Sequence, residues 1–235
     1  MAATEAESWW RPYRQVGDVR VLHVDLSAAG RREEAASALL DDSEQRRRAR
    51  FLADSPRRRF TLCRAALRSV LGDELACRND DLGFGFSEHD KPFATVSGRR
   101  APISFNVSHS GRHGLIALAH RGRVGVDVEE LVPNRNLEIL IGAVLGPNEQ
   151  AEVTAASGRE KLRLFLDLWT MKEALSKAHG MGLSMDVSAF EIPEDIRYGA
   201  RGGLCRFSQM PGAAWRLDRI GTDQFAAAVA HEAEG

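Results

Sequence analysis

Asp127 and Glu129 stand two residues apart in Val124-Gly125-Val126-Asp127-Val128-Glu129. Read as a strand, this segment puts the three valines on one face and Gly125, Asp127 and Glu129 on the other. Carboxylates placed so closely repel each other, and a cation between them removes the penalty. Oxygen ligands without His or Cys suit a hard cation such as Mg²⁺. A plain polar loop after the valines is the simpler alternative. Further on, Leu168-Trp169-Thr170-Met171-Lys172-Glu173-Ala174-Leu175-Ser176-Lys177 reads as the C-terminal half of a helix that begins near Arg159. Leu162, Phe165, Leu166 and Trp169 form one apolar stripe, and Leu168, Met171, Leu175 and Ala178 form another on roughly the opposite side. Glu173 and Lys177 continue the line of Leu166 and Trp169, so two charges point where an inward apolar pair is expected. Buried charge is costly without a partner or ligand. A surface Glu-to-Lys pair, worth about 0.2–0.5 kcal/mol, is the bland alternative. Pointing inward, Glu173 is the natural third carboxylate for the pair on the strand.

Two further groups carry chemistry. Ile103, Phe105 and Val107 alternate with Ser104, Asn106 and Ser108, giving a strand that ends in His109-Ser110-Gly111. Ser108 and His109 invite a hydrolase reading, but sequence neighbours do not make a nucleophile and its base, and no GxSxG elbow is present. Arg46, Arg47, Arg48, Arg50, Arg57, Arg58, Arg59 and Arg64 fall on consecutive helices. Guanidinium groups bind phosphate in bidentate fashion, although most such arginines are simply solvated. A nucleic-acid groove would want net positive charge and interleaved aromatic residues. Lys plus Arg total 32 against 33 acidic residues, so nucleic acid is not the expected partner.

The elements that must position these groups follow from pattern. Val19 to Leu26 is a strand, Arg31 to Leu40 a helix, and a second helix starts near Ser43, capped by Asp42 or Ser43. Pro56 opens a third helix that runs to Gly72. Asp80 to Ser87 is a glycine-spaced strand candidate, and Pro92 holds Lys91 extended after His89-Asp90. The strand at 103–108, Leu115 to Ala119 and Val124 to Glu129 together suggest an antiparallel meander. Helices after Pro133 and after Gly146-Pro147 precede the long one, which ends at Gly180-Met181-Gly182. Val187 to Ile192, Gly203 to Phe207, Trp215 to Ile220 and Phe225 to His231 complete the chain as strands. At 235 residues, 43% hydrophobic and 28% charged, this is a globular chain of one large domain or two small ones. Three scattered cysteines without a CxxC point to a reducing cytoplasm. Met1 to Trp10 lacks the apolar core of a secretory signal, and no run approaches the ~20 apolar residues of a membrane helix.

Phe105-Asn106-Val107-Ser108-His109-Ser110-Gly111, Val124 to Glu129 and Trp169 to Lys177 occur in the order and approximate spacing of the 4′-phosphopantetheinyl transferases, and the chain resembles their long, surfactin-synthetase-type branch. Lys91-Pro92-Phe93 resembles the family's Lys-Pro-aromatic segment, and the helix from Arg59-Phe60 to Leu71-Gly72 is similar to its N-terminal signature helix. The resemblance implies an α+β fold of two similar halves, residues 1–120 and 121–235, in a pseudo-twofold arrangement with the active site in the cleft between them. It implies transfer of the phosphopantetheine arm of coenzyme A to a serine of an apo acyl or peptidyl carrier protein, releasing 3′,5′-ADP, by a cytoplasmic monomer. Asp127, Glu129 and Glu173 would hold Mg²⁺ (or Mn²⁺), and Asp127, Glu173 and Lys177 would be catalytic, with Lys177 neutralising or protonating the leaving side. Ser108, His109, Lys91, Pro92, Lys172, Lys177, Arg47 and Arg59 would bind the coenzyme. The attacking serine would belong to the partner, which suits a chain without a convincing nucleophile of its own. A catalytically silent coenzyme A or nucleotide-binding module is the alternative.

Overall fold

The computed structural model describes residues 8–87, 91–133, 136–180, 185–199 and 201–233. The first described elements are strands β1 (Trp10–Val16) and β2 (Val19–Asp25), then helices α1 (Gly30–Ser37), α2 (Asp42–Ala49) and α3 (Asp54–Glu74). A three-stranded sheet of β3 (Leu82–Phe86), β4 (Pro92–Val96) and β5 (Arg99–Arg100) follows, then β6 (Ser104–Ser110) and β7 (His113–Ala119). Next come β8 (Val124–Glu130), α4 (Leu137–Val144), α5 (Pro147–Ala155), α6 (Gly158–His179) and α7 (Glu194–Tyr198). The last strands are β9 (Gly202–Cys205), β10 (Trp215–Arg219) and β11 (Phe225–Glu232).

Two four-stranded antiparallel sheets, ordered β1-β2-β7-β6 and β8-β11-β10-β9, carry the chain in an α+β architecture. Each strand's period of two decides which layer its residues enter. Leu22, Val24, Phe105 and Ile116 of the first sheet pack on Leu62, Ala66, Leu67 and Val70 of α3. Val21, Leu115 and Ala117 face the other way, onto Val124, Val126, Val128 and Val229 of the second sheet. The opposite face of that second sheet, with Ala226, Ala228 and Leu217, packs on Met171, Ala174 and Leu175 of α6. The order is therefore helix, sheet, sheet, helix, and the alanines of β11 leave room for contact on both sides.

The expected meander breaks after β7. β8 pairs with β11 in the second sheet, from Val124↔His231 to Glu130↔Phe225. Its free edge lies beside β6, whose side chains satisfy it: Asn106 Oδ1 accepts from Val126 N at 2.9 Å, and Ser110 Oγ accepts from Glu130 N at 3.2 Å. An open strand edge left unpaired would be a liability. The expected strand over Val187 to Ile192 is replaced by a short 3-10 turn at Val187–Ala189. Asp186 accepts from Ser188 N at 3.0 Å and turns the chain there, while the carbonyls of Val187 and Phe190 point at the Lys172 ammonium instead of a ladder partner. Helix α2 is capped one residue earlier than expected, by Asp41, which forms a capping box with Glu44. Gly180, at φ +94°, ends α6. The expectations that concern Met1 to Glu7, His89-Asp90 and Met181-Gly182 lie outside the described residues. No described helix is long and apolar enough to cross a membrane.

Candidate active site

β8 and α6 meet closely because Gly125 has no side chain: a Cβ there would lie 2.1 Å from Ala174 O and 2.4 Å from Ala178 N. The approach brings the polar face of β8 against the one line of α6 that carries Trp169, Glu173 and Lys177. Lys177 Nζ donates to Asp127 Oδ1 at 2.5 Å and to Ser108 Oγ at 3.2 Å. Ser108 Oγ donates to the same Asp127 oxygen at 2.7 Å. Asp127 is only 2% exposed, and its second oxygen, Oδ2, is buried without a partner among the described residues. One residue pair along, Ser110 Oγ donates to Glu129 Oε2 at 2.7 Å. Two serines of β6 thus hold two carboxylates of β8, both sets spaced by the strand period.

Asp127, Glu129, Glu173 and Lys177 line one cavity of about 280 Å³, together with Ser108, His109, Val107 and Trp169. Burial pushes the Glu173 carboxyl up, as do the charges of Asp127 and Glu129, while Lys177 pulls it down. Glu129 is likewise raised, by burial first and by Asp127, against the opposing Ser110 hydroxyl and Lys177 charge. Among the described residues, no three Asp, Glu, His or Cys side chains are drawn together at metal-ligand spacing. The donor set nevertheless fits a hard cation: one buried carboxylate oxygen has no partner among the described residues, and burial and neighbouring like charge push two further carboxylates toward the protonated form.

A second cavity of about 320 Å³ shares Val107 and His109 with the first. Arg47, Phe60, Arg64 and Pro92 are among its walls. Arg47 stacks over the Phe60 ring at 5.1 Å, and Arg64 over Phe84 at 4.3 Å. Arg59 has a buried Nε without a partner among the described residues, and burial together with its charge and that of Lys177 draws His109 below the usual imidazole range. The arrangement offers cations and aromatic faces to an anionic, ring-bearing ligand on one side and clustered carboxylates on the other.

Of the residues singled out from sequence, Asp127, Glu129, Glu173, Lys177, Ser108 and His109 line the first cavity, while Arg47, Pro92 and His109 line the second. Two expectations are corrected. Lys172 does not face either cavity: it is 1% exposed, pairs with Glu149 at 2.7 Å and donates to the carbonyls of Val144, Val187 and Phe190. Lys91 spends its ammonium on the carbonyls of Lys177, Ala178 and Val124, so its charge is not open to a ligand. Burial and the Arg123 guanidinium pull it down to about 8, with Glu232 acting the other way. Phe60 and Ser110 carry no expectation as site residues, Arg64 enters only as one of the arginine cluster, and Trp169 only as part of an apolar stripe. Ser110 was within reach of the pattern, since it follows Ser108 by the same two residues that separate Asp127 from Glu129.

The sequence has counterparts among known proteins. The model of the 4′-phosphopantetheinyl transferase superfamily matches residues 123–230, and that of the 4′-phosphopantetheinyl transferase N-terminal region matches residues 30–121. The chain belongs to the 4′-phosphopantetheinyl transferase superfamily. It is 33% identical over 172 residues to a putative 4′-phosphopantetheinyl transferase of Synechocystis sp., covering 72% of this chain and 66% of the relative. It is 33% identical over 135 residues to the 4′-phosphopantetheinyl transferase HetI of Nostoc sp., 57% of each chain. The 4′-phosphopantetheinyl transferase ffp of Bacillus subtilis is 30% identical over 129 residues, 54% of each chain. The chain thus spans about two thirds or less of the length of these relatives. The superfamily match covers β8 and α6 whole, and the N-terminal match covers α3, β6 and the arginines.

Proposed function

We propose that this chain transfers the 4′-phosphopantetheine arm of coenzyme A to a serine hydroxyl of an apo acyl or peptidyl carrier protein and releases 3′,5′-ADP. The observation that carries the reading is the Lys177–Asp127 pair, flanked by Glu129 and Glu173, at the wall of a cavity that shares Val107 and His109 with a second one lined by Arg47, Arg64 and Phe60. Family membership and the printed names of the relatives support it.

In this reading the carrier serine oxygen attacks the phosphorus that bears the pantetheine, and the bond from that phosphorus to the oxygen of the departing 3′,5′-ADP breaks. Phosphoryl transfer of this kind needs positioning and charge neutralisation more than covalent help. Glu173, whose carboxyl is raised by burial, takes up the serine proton. The Lys177 ammonium faces the leaving side and balances its growing charge. His109, Arg59, Arg47 and Arg64 hold the phosphates and adenosine. Asp127, Glu129 and Glu173 would hold Mg²⁺ or Mn²⁺, which when bound supplies further neutralisation of the pyrophosphate. Two halves, residues 1–120 and 121–235, frame the cleft in a pseudo-twofold manner. The reading is supported by a four-stranded sheet and one long helix in each and by family matches that meet between residues 121 and 123. A monomer in the cytoplasm is the proposed setting, consistent with three free cysteines. The test is chromatography of the nucleotide pool: 3′,5′-ADP should form only when chain, coenzyme A and apo carrier are all present. Formation of none with any carrier class would leave a silent coenzyme-binding module.

A further inference from the structure

Lys91 is in the lining of neither cavity, and its charge has no part in the transfer chemistry above. Its Nζ donates to the carbonyls of Lys177 at 2.8 Å, Ala178 at 3.0 Å and Val124 at 3.2 Å. The first two belong to the last turn of α6, where helix carbonyls have no partner of their own and a cation is favoured. The third opens β8. One ammonium therefore joins the end of the helix that carries Glu173 and Lys177 to the start of the strand that carries Asp127 and Glu129. The lysine is itself held: its amide donates to Ser87 Oγ at 3.2 Å, and its carbonyl accepts from Ser87 N at 2.9 Å. Gly180, which ends α6, lies beside the Lys91 side chain. Arg123, paired with Glu232 at 3.1 Å, reaches the His179 carbonyl at 3.4 Å and closes the same helix end.

We infer that Lys91 is a positioning residue whose ammonium fixes the register of α6 on β8, and through it the placement of Lys177 and Glu173 opposite Asp127 and Glu129. It acts through three backbone carbonyls and not through the coenzyme. The close approach at Gly125 leaves these elements one snug fit, and Lys91 ties its open end. Pro92, the next residue, lines the basic cavity, so one dipeptide shapes the ligand's wall and locks the reacting elements. The kinetic part of the test rests on the transferase reading; the exchange part does not.

The test compares wild type, Lys91→Met and Lys91→Arg by steady-state transfer to a carrier, calorimetric coenzyme A binding and amide hydrogen exchange. Lys91→Met should lower kcat about 10-fold or more, because misplacement by about 1 Å costs on the order of 10²-fold. Coenzyme affinity should stay within about twofold, the split that separates a lost geometry from a lost ligand contact. Exchange should quicken at residues 176–180 and 124–126, with the rest of α6 still protected. Lys91→Arg keeps a cationic donor and should recover most of kcat. If Lys91→Met does not fold, Lys91→Gln, a neutral donor, is read by the same split. An unchanged kcat with coenzyme KM raised about tenfold overturns the inference in favour of direct ligand contact. Unchanged exchange at both segments overturns it as well. If wild type transfers nothing, the transferase reading fails by itself, and exchange alone decides the clamp.

Discussion

Lys172→Met should damage the fold and spare the ligand. The Lys172 side chain is 1% exposed and its partner Glu149 0%, with their charged atoms 2.7 Å apart. Burial lowers the lysine's pKa, and the Glu149 charge and hydrogen bond pull it back up. The ammonium also donates to Val144 O at 3.1 Å, Val187 O at 2.9 Å and Phe190 O at 2.6 Å. Methionine fills much of the volume but leaves three carbonyls and a buried carboxylate without their cation. Among the described residues, Glu149 keeps the amides of Gly146 at 2.9 Å and Ile192 at 2.8 Å. Breaking one side of such a pair costs about 3–5 kcal/mol. At about 2–4 °C per kcal/mol for a chain of this size, the melting point should fall by roughly 10 °C. Urea unfolding followed by tryptophan fluorescence should show a lower midpoint with an unchanged slope. Coenzyme A affinity, measured well below that midpoint, should match wild type. A second change, Glu149→Gln, made in the Lys172→Met background should restore part of the loss by removing the stranded charge. Stability within about 1 kcal/mol of wild type, joined to a tenfold weaker coenzyme, would refute the reasoning and return Lys172 to the ligand.

Other outcomes follow from the same structure. Asp127→Ala should remove about 99% or more of turnover, as losing an electrostatic stabiliser typically does, and cost about 1.5–3 kcal/mol of stability through the lost Lys177 and Ser108 contacts; near-normal turnover in a steady-state assay would contradict this. His109→Ala and Arg59→Ala should weaken coenzyme A about tenfold more than dephospho-coenzyme A in calorimetry, since charge-assisted contacts are worth about 1.5–3 kcal/mol; equal weakening would remove both from the 3′-phosphate. His23 is held down to about 4 by burial, then by His113 and Arg11. Because its folded value lies below the unfolded one, the neutral imidazole stabilises the fold above about pH 6.5, and stability drains as pH falls from there to about 4, by about 2–3 kcal/mol. Urea midpoints across that range should show the slope, and His23→Gln should flatten it.

Much of the site could be seen in the chain because strand and helix periods are short and local. The alternation in Val124–Glu130 put Asp127 and Glu129 on one face, and they do share it, against α6. The four-residue spacing of Trp169, Glu173 and Lys177 placed them on one line, and all three line the cavity. What failed was long-range. No period shows that Lys172 will meet Glu149, or that Lys91 will cap a helix 86 positions away. The meander pattern misleads because β7 and β8 are each apolar on the face between the sheets, which suits neighbours in one sheet and layers that face each other equally well. β1 leaves no strand signature, since Trp10–Val16 is a half-exposed edge strand with Pro12 and a register shift and so has no clean alternation. The serine and asparagine side chains of β6 that cover the edge of β8 likewise have no signature beyond ordinary polar alternation.

Whether the carboxylate and lysine cavity moves a phosphopantetheine arm onto a partner's serine is decided by the intact mass of an apo carrier domain after incubation with this chain, Mg²⁺ and coenzyme A. One phosphopantetheine should be added per carrier serine, none on a carrier with that serine changed to alanine, and none when the divalent cation is chelated. No mass gain on peptide-synthetase, polyketide or fatty-acid carriers, from protein that binds coenzyme A normally, would contradict it.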